Sequence, residues 1–299
     1  MPRPIQAAIH ADALRHNLAR MRRAAPDARV WAIVKANAYG HGIERAYEGL
    51  RGADGFALLD LQEAERVRAL GWRGPILLLE GVFEARDLEL CSRLSLWHVV
   101  HCQEQIDMLA VHKTHTPHRV FLKLNSGMNR LGFAPHRFRA AWARLDALPQ
   151  VDEISLVTHF SDADTPRGVA EPLRVFAQAT RDLPGERSLA NSAAVLRHGH
   201  DAAVRADWIR PGIAVYGSSP DFPEHDAAHW DLRPTMTLAT PARAHDFTVG
   251  DLTISNPWAR ASAGKAPNGA AYLMQITNNG HDVDRLIADS FQIAGHPCR

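Results

Sequence analysis

Short apolar, β-branched runs recur along the chain between residues 30 and 217. They read VWAIVK (30–35), GFALL (55–59), ILLLE (76–80), WHVVH (97–101), RVFLKLN (119–125), ISLVTHF (154–160), RSLAN (187–191) and WIRPGIAVYG (208–217). Most are near-continuous rather than alternating, as strands buried on both faces of a parallel sheet should be. Between most of them lie Ala-, Leu-, Arg- and Glu-rich stretches with helical spacing, clearest in LQEAERVRAL (61–70). Eight strands and seven such connections predict an α/β fold, a (β/α)8 TIM-type barrel. At about 190 residues it would be compact against a typical ~250, and a doubly wound sheet is the alternative. Before the first barrel strand, IQAAIH (5–10) leads into an amphipathic helix over 11–25 that covers the barrel. After about residue 237 the pattern changes to short strands broken by Asn-Pro, Pro-Asn-Gly and Asn-Asn-Gly turns, an incomplete β-rich tail. The expected domains are 1–237 and 238–299.

Composition narrows the class. The chain has 299 residues, 46% of them hydrophobic, enough for one large core and a small appendage. Lys+Arg is 34 and Asp+Glu is 33. That balance gives no electrostatic reason to expect nucleic acid or an anionic membrane as partner. No apolar run approaches the ~20 residues that span a bilayer. The N-terminus, MPRPIQAAIHADALRHN, does not read as a signal peptide. Cys91, Cys102 and Cys298 form no Cys-x-x-Cys pair, which suits a reducing compartment. The expected location is the cytoplasm.

The segment VWAIVKANAYGHG (30–42) carries the chemistry. A buried strand ends at Lys35 and a Gly-rich loop follows. In a parallel barrel the C-terminal strand ends open into the active-site mouth. A lysine partly stripped of water there has a lowered pKa, and its free amine can form a Schiff base. From position alone, a solvated lysine capping a strand is the commoner reading. Gly40-His41-Gly42 hints at a dinucleotide loop, but Arg45 stands where a third glycine is needed. His112, His115 and His118 are spaced by three in a polar, Pro-containing connection without a cysteine or carboxylate at ligand spacing, so a solvated loop is expected there and no metal.

The wording of the motifs settles more than their positions do. AIVKANAYGHG closely resembles the pyridoxal-phosphate lysine motif of alanine racemases. FLKLNSGMNRLGF (121–133), THFSDAD (158–164) and WIRPGIAVYG (208–217) match the same family in the same order. The resemblance covers residues 1 to about 237. It implies an isomerase that interconverts L- and D-alanine for peptidoglycan precursors, with pyridoxal 5'-phosphate as cofactor and a homodimer as the family's assembly. Lys35 would hold the cofactor covalently and serve as the base on one face of the substrate α-carbon. Tyr39 would lie beside the cofactor and reach its phosphate. Arg130 would orient the substrate carboxylate or the opposite catalytic group. Lys123 occupies a position that is carbamylated in many members. His159 would sit under the cofactor ring, linked to Arg210, and Arg210 would face the pyridine nitrogen. Ser192, with the backbone amides of Gly212 and Ile213, would bind phosphate. Asn191 reads as a turn residue.

From His245 onward, HDFTVGDLTISNPWARAS and APNGAAYLMQITNNG resemble the start of a periplasmic copper chaperone, preceded by Ala242-Arg243-Ala244 in the manner of a leader cleavage site. The Met- and His-rich copper motif of that family is absent. His281, His296 and Met274 do not reproduce it. The racemase's second domain, with the tyrosine of a Gly-Tyr-Gly segment that serves the opposite face, is not found in this sequence either. Tyr47 sits in a helical stretch, Tyr216 ends the last barrel strand, and Tyr272 lies in AAYLMQI with the wrong neighbours. Racemisation by the 299 residues alone is therefore expected to be impaired, and the family's dimer contacts are in question. The alternatives are a non-catalytic pyridoxal-phosphate-binding barrel of the cofactor-homeostasis type, or an inert barrel fused to a copper-binding module.

Overall fold

Eight parallel strands close into a barrel in chain order: β2 (Arg29–Ile33), β3 (Gly55–Leu58), β4 (Ile76–Leu78), β5 (Trp97–Val100), β6 (His118–Lys123), β7 (Val151–Val157), β8 (Arg187–Asn191) and β9 (Trp208–Arg210). In the computed structural model the described residues are 5–113, 116–239 and the strand backbones within 247–278. They fall into two units, Ile9–Met236 and Met1–Ala8 with Thr237–Arg299. The barrel belongs to the first. The strand-helix rhythm predicted from sequence is the observed one, and the doubly wound alternative is excluded by the closing pair β2–β9, where Arg29 stands opposite Trp208.

The near-continuous apolar runs serve two faces. Along β2, Val30, Ala32 and Val34 pack outward in the large cluster shared with the helices. Trp31 and Ile33 point inward, where they join Ala57, Leu77, Val99, Phe121, Val157 and Trp208. Trp31 stacks on Trp208 at 4.1 Å between ring centroids, and Trp97 meets Trp31 edge-on at 5.6 Å. This indole layer fills the barrel interior. Gly55 pairs with Trp31 across β2–β3. A Cβ at Gly55 would come within 2.1 Å of the Trp31 ring, so only glycine fits beside it.

At some of the covering helices a side chain accepts a first-turn amide. Asp60 accepts from Gln62 N at the head of Leu61–Ala69, and Asn191 from Ala194 N at the head of Ser192–His198. The helix Ala11–Ala24 is the amphipathic one expected, and it buries Leu14, Leu18 and Met21. Its fully buried Asn17 donates to the carbonyls of Val215 and Arg233 and accepts from Arg233 N, which ties down the segment after β9. The last predicted strand is shorter than its apolar run. Pro211 has no N–H for a ladder, so β9 stops at Arg210 and Ile213–Tyr216 forms a 3-10 turn.

The second unit contains only β structure among its described residues. β1 (Gln6–Ile9) pairs with β10 (Met236–Ala239). β11 (Phe247–Val249), β12 (Leu252–Ser255) and β15 (Gln275–Asn278) form an antiparallel sheet, and β13 (Trp258–Arg260) pairs with β14 (Ala270–Tyr272). That is the small antiparallel tail the turn signals predict. Ala242-Arg243-Ala244, His245, Met274, His281 and His296, on which the copper-chaperone reading turns, lie outside the described residues.

The spaced histidines depart from the solvated loop expected of them. His118 is buried on β6, its ring 5.1 Å from that of fully buried His98 on β5 and 5.3 Å from His112. His115 lies outside the described residues. Neither ring nitrogen of His98 has a hydrogen-bond partner. Burial, then the neighbouring imidazoles, push His98 down from 6.5 to about 3, and burial with His112 pushes His118 to about 4. Both rings are neutral in the folded protein and take up a proton in the unfolded chain below about pH 6.5. Their contribution is therefore complete above about pH 6.5 and is lost as pH falls towards 4, at roughly 1.4 kcal/mol per unit for each fully shifted group. Urea midpoints should drop steeply between pH 7 and pH 4.5. His98→Phe, which removes two unsatisfied buried nitrogens, should leave the pH 7 midpoint unchanged or higher and flatten the decline. An H98F protein as acid-sensitive as the parent contradicts this account.

Candidate active site

The inward positions one step beyond the apolar layer are polar. Ile33 is followed by Lys35, Phe121 by Lys123, Val157 by His159 and Trp208 by Arg210. Two-residue strand periodicity thus places four ionisable groups in one ring at the C-terminal ends of β2, β6, β7 and β9. They line a cavity of about 310 Å³ together with Tyr39, Glu80, Arg130, Asp164, Asn191, Ser192, Gly212 and Ile213. Every site residue expected from sequence lies on this one cavity. Lys35, Lys123, Arg130 and Arg210 face only two carboxylates, Glu80 and Asp164, among the lining residues. The cavity is built for an anion.

Arg210 is 6% exposed. Its guanidinium donates to Ser188 Oγ (2.7 Å) and to the carbonyls of Thr158 (2.6 Å) and Leu189 (3.1 Å). Ser188 and Leu189 lie on β8, where the pairing with β9 shifts register between Ser188 and Asn191. Burial lowers its pKa only to about 10, so it stays cationic at neutral pH. The link expected between His159 and Arg210 is electrostatic. Burial, then Arg210, Arg130, Lys123 and Lys35, hold His159 at about 3 and therefore neutral, while its Nε2 faces Asn191 Nδ2 at 3.5 Å. Asn191 does more than turn the chain. It caps the next helix and donates to Phe160 O.

Lys123 is half-buried. Desolvation, then Arg210 and Arg130, lower its pKa to about 8 against the opposing pull of Glu80. Arg130 reaches the cavity from the loop after β6. There Asn125 Oδ1 accepts from the amides of Gly127 and Asn129, and Phe133 N returns to Lys123 O. Opposite, Ser192 Oγ accepts from the amides of Gly212 (3.0 Å) and Ala214 (3.2 Å). Sequence had paired Gly212 with Ile213, which lines the cavity and is 40% exposed. A Cβ at Gly212 would approach Tyr39 Oη to 2.4 Å, so glycine keeps the hydroxyl and the amide side by side.

The loop after Lys35 is a left-handed turn. Ala36, Asn37, Ala38 and Tyr39 have φ of 52°, 54°, 55° and 51°. Four consecutive non-glycine residues in this region cost roughly 1–2 kcal/mol each. Tyr39 leaves the turn stacked on Tyr216 at 4.7 Å, with Lys35 Nζ 6.0 Å from its ring, and burial raises its phenol pKa. Tyr216 in turn donates to Ile33 O on β2.

Glu80 and Asp164 were not singled out in the sequence. Glu80 ends the run ILLLE, so the strand-end rule that found Lys35 would have found it. Asp164 lies in a loop whose course strand periodicity does not foretell. Among the described residues, Asp221, Glu224 and His225 are the group whose potential ligand atoms all lie within 4.8 Å. Arg197, Ser219 and Trp230 already donate to Asp221, which makes it an ion-pair network.

The geometry defines an α/β barrel with a lysine and three further cations at its mouth, suited to a small phosphorylated or carboxylated ligand. The profile of the alanine racemase N-terminal domain matches residues 9–220, and the chain belongs to that family. It is 77% identical over 240 residues to an alanine racemase of Polaromonas sp. (80% of this chain, 66% of that protein) and 78% identical over 240 residues to one of Variovorax paradoxus (80% and 65%). The crystal structure of biosynthetic alanine racemase from Pseudomonas aeruginosa superposes with a TM-score of 0.74 at 44% identity, over 79% of this chain and 66% of that one. Alanine racemase from Acinetobacter baumannii gives 0.76 at 32% identity, over 84% and 74%. The chain thus spans about two thirds of the length of these relatives. Among the described residues, no helix is long and apolar enough to cross a membrane.

Proposed function

We propose that this barrel holds pyridoxal 5'-phosphate at its mouth and acts on alanine, exchanging its L and D forms. The observation that carries the reading is Lys35 at the end of β2, on the wall of an anion-seeking cavity with Ser192 and the Gly212 amide on the same wall. The residues fit the cofactor. At Gly212 a Cβ would meet the Tyr39 hydroxyl, so glycine lets that hydroxyl and Ser192 stand together on the wall where a phosphate would be held. A reactive aldehyde needs an amine at a strand end, which Lys35 offers. When bound, the cofactor draws electron density away from the substrate α-carbon.

The protein's own groups do the rest. Lys35 Nζ would hold the cofactor and would be the amine that moves the α-proton on its own face. Ser192, Gly212, Ile213 and the Tyr39 phenol, whose pKa is raised by burial, are the groups that would hold the phosphate. Arg210, cationic and acceptor-free, would present a donor rather than an acid to the cofactor ring and so would disfavour its protonation. His159, neutral, offers a flat ring rather than an acid. Arg130 orients the substrate carboxylate. Lys123, near pKa 8, carries enough neutral amine at physiological pH to react with dissolved carbon dioxide. The resulting carbamate would pair with Arg130. Residues 1–237 form the catalytic domain in this reading, and 238–299 a separate β segment.

Incubation with pyridoxal 5'-phosphate, borohydride reduction and peptide mapping tests the assignment. The label is expected on Lys35 at one equivalent per chain. A label on Lys123 or spread over surface lysines overturns it.

A further inference from the structure

We infer that Glu63, assisted by Arg66, is a positioning residue that holds the left-handed turn and so aims Lys35 and Tyr39 into the cavity. The inference rests on the cofactor reading for its functional meaning and on the turn geometry for its substance.

A right-handed or extended path is the default for residues 36–39. The turn's own bonds, Ala38 N to Val34 O, Gly40 N to Ala36 O and Gly42 N to Asn37 O, do not by themselves favour the left hand. What distinguishes it is its outside support. Glu63 Oε1 accepts from Asn37 N at 2.7 Å. Arg66 Nη2 donates to Asn37 Oδ1 at 2.7 Å, and Arg66 is fixed by Glu44 through two bonds of 2.7 and 2.6 Å. Asn37 Oδ1 also accepts from Ile43 N. Asn37 is thus held at both its backbone and its side chain. Glu63 and Arg66 are three residues apart on the helix Leu61–Ala69, hence on one face. That helix follows β3, the strand paired with β2, so the support stands beside the strand that ends at Lys35.

Glu63 is an unusual residue for a merely structural role. It is 9% exposed, and its Oε2 is buried without a hydrogen-bond partner. A carboxylate kept at such desolvation expense for a bond to one amide indicates that this amide must be held. Tyr39, two residues on, leaves the turn against Tyr216 and beside Gly212.

The test compares Glu63→Gln, Glu63→Met and Arg66→Met in the full chain. Gln retains the acceptor for Asn37 N, whereas Met fills the space without one. Amide exchange in cofactor-free protein is expected to speed up about tenfold or more at Ala38, Gly40 and Gly42 in E63M, with the helix Ala11–Ala24 unchanged. The dissociation constant for pyridoxal 5'-phosphate should rise by about tenfold. E63Q should stay within about threefold of the parent on both measures. R66M, altered at a partly exposed residue, should move both in the direction of E63M by less, and it decides the matter if E63M does not fold. Unchanged exchange in the turn of E63M or, failing that, of R66M overturns the inference, as does E63Q behaving like E63M. A parent that does not bind the cofactor sinks the functional reading instead, and the exchange arm still judges the turn.

Discussion

Lys35→Ala is expected to lower D-alanine formation by more than ~10⁴-fold, because in the proposed function it removes the attachment point and the proton carrier together. No other amine can take over both tasks. Lys123 shares the cavity but sits across it on β6, and burial, then Arg210 and Arg130, lower its pKa. The barrel should fold normally, since Lys35 lies above the apolar layer rather than in it. Circular dichroism should match the parent while the cofactor's visible band is lost. The assay is D-alanine release by a protein carrying this barrel and a complete racemase second domain, with and without the substitution. Small primary amines added to K35A should restore part of the rate. Activity within about a hundredfold of the parent would mean that another group does the chemistry.

The second large effect concerns the two faces of the α-carbon. Residues 1–299 assayed alone should release D-alanine at least ~10²-fold more slowly than the same barrel joined to a racemase second domain. Racemisation removes a proton from one face and returns it to the other. Among the described residues, the cavity wall carries one assigned proton carrier, Lys35, and the Tyr39 phenol is committed beside Gly212 with a pKa raised by burial. His159, held at about 3, cannot accept a proton at neutral pH to any useful extent. Solvent deuterium should therefore enter the substrate α-position faster than the enantiomer forms. Equal rates of exchange and inversion, or turnover within tenfold of the two-domain protein, would show that a second carrier is present.

Much of this was legible in the chain itself. Buried parallel strands announce themselves as unbroken apolar runs, and the barrel followed from eight of them. Lys35 was legible because it stands at the end of such a run, whereas Lys123, His159 and Arg210 were picked out only by the resemblance of their segments to a known family. The motif wording then gave them names that position alone could not. Other features had no local signal. Nothing in KANAY announces a left-handed turn, since Ala and Tyr prefer the other hand; the support comes from Glu63 and Arg66, more than twenty residues away. The burial of His118 against His98 was hidden because the connection before it is polar. Arg210's partners, Ser188, Leu189 and Thr158, come from other segments of the barrel, a feature of the strands together rather than of one stretch of sequence.

The stacked indoles have a consequence for watching this protein fold. Trp31 belongs to the first barrel strand and Trp208 to the last, and they lie face to face across the seam where the cylinder shuts. Two parallel chromophores at that distance share their excitation. Their coupling, carried by the strong far-ultraviolet indole transitions, is expected only when the seam is closed, whatever the helices outside are doing. The chain therefore carries an optical seal, one that separates a completed cylinder from an open sheet of the same secondary structure.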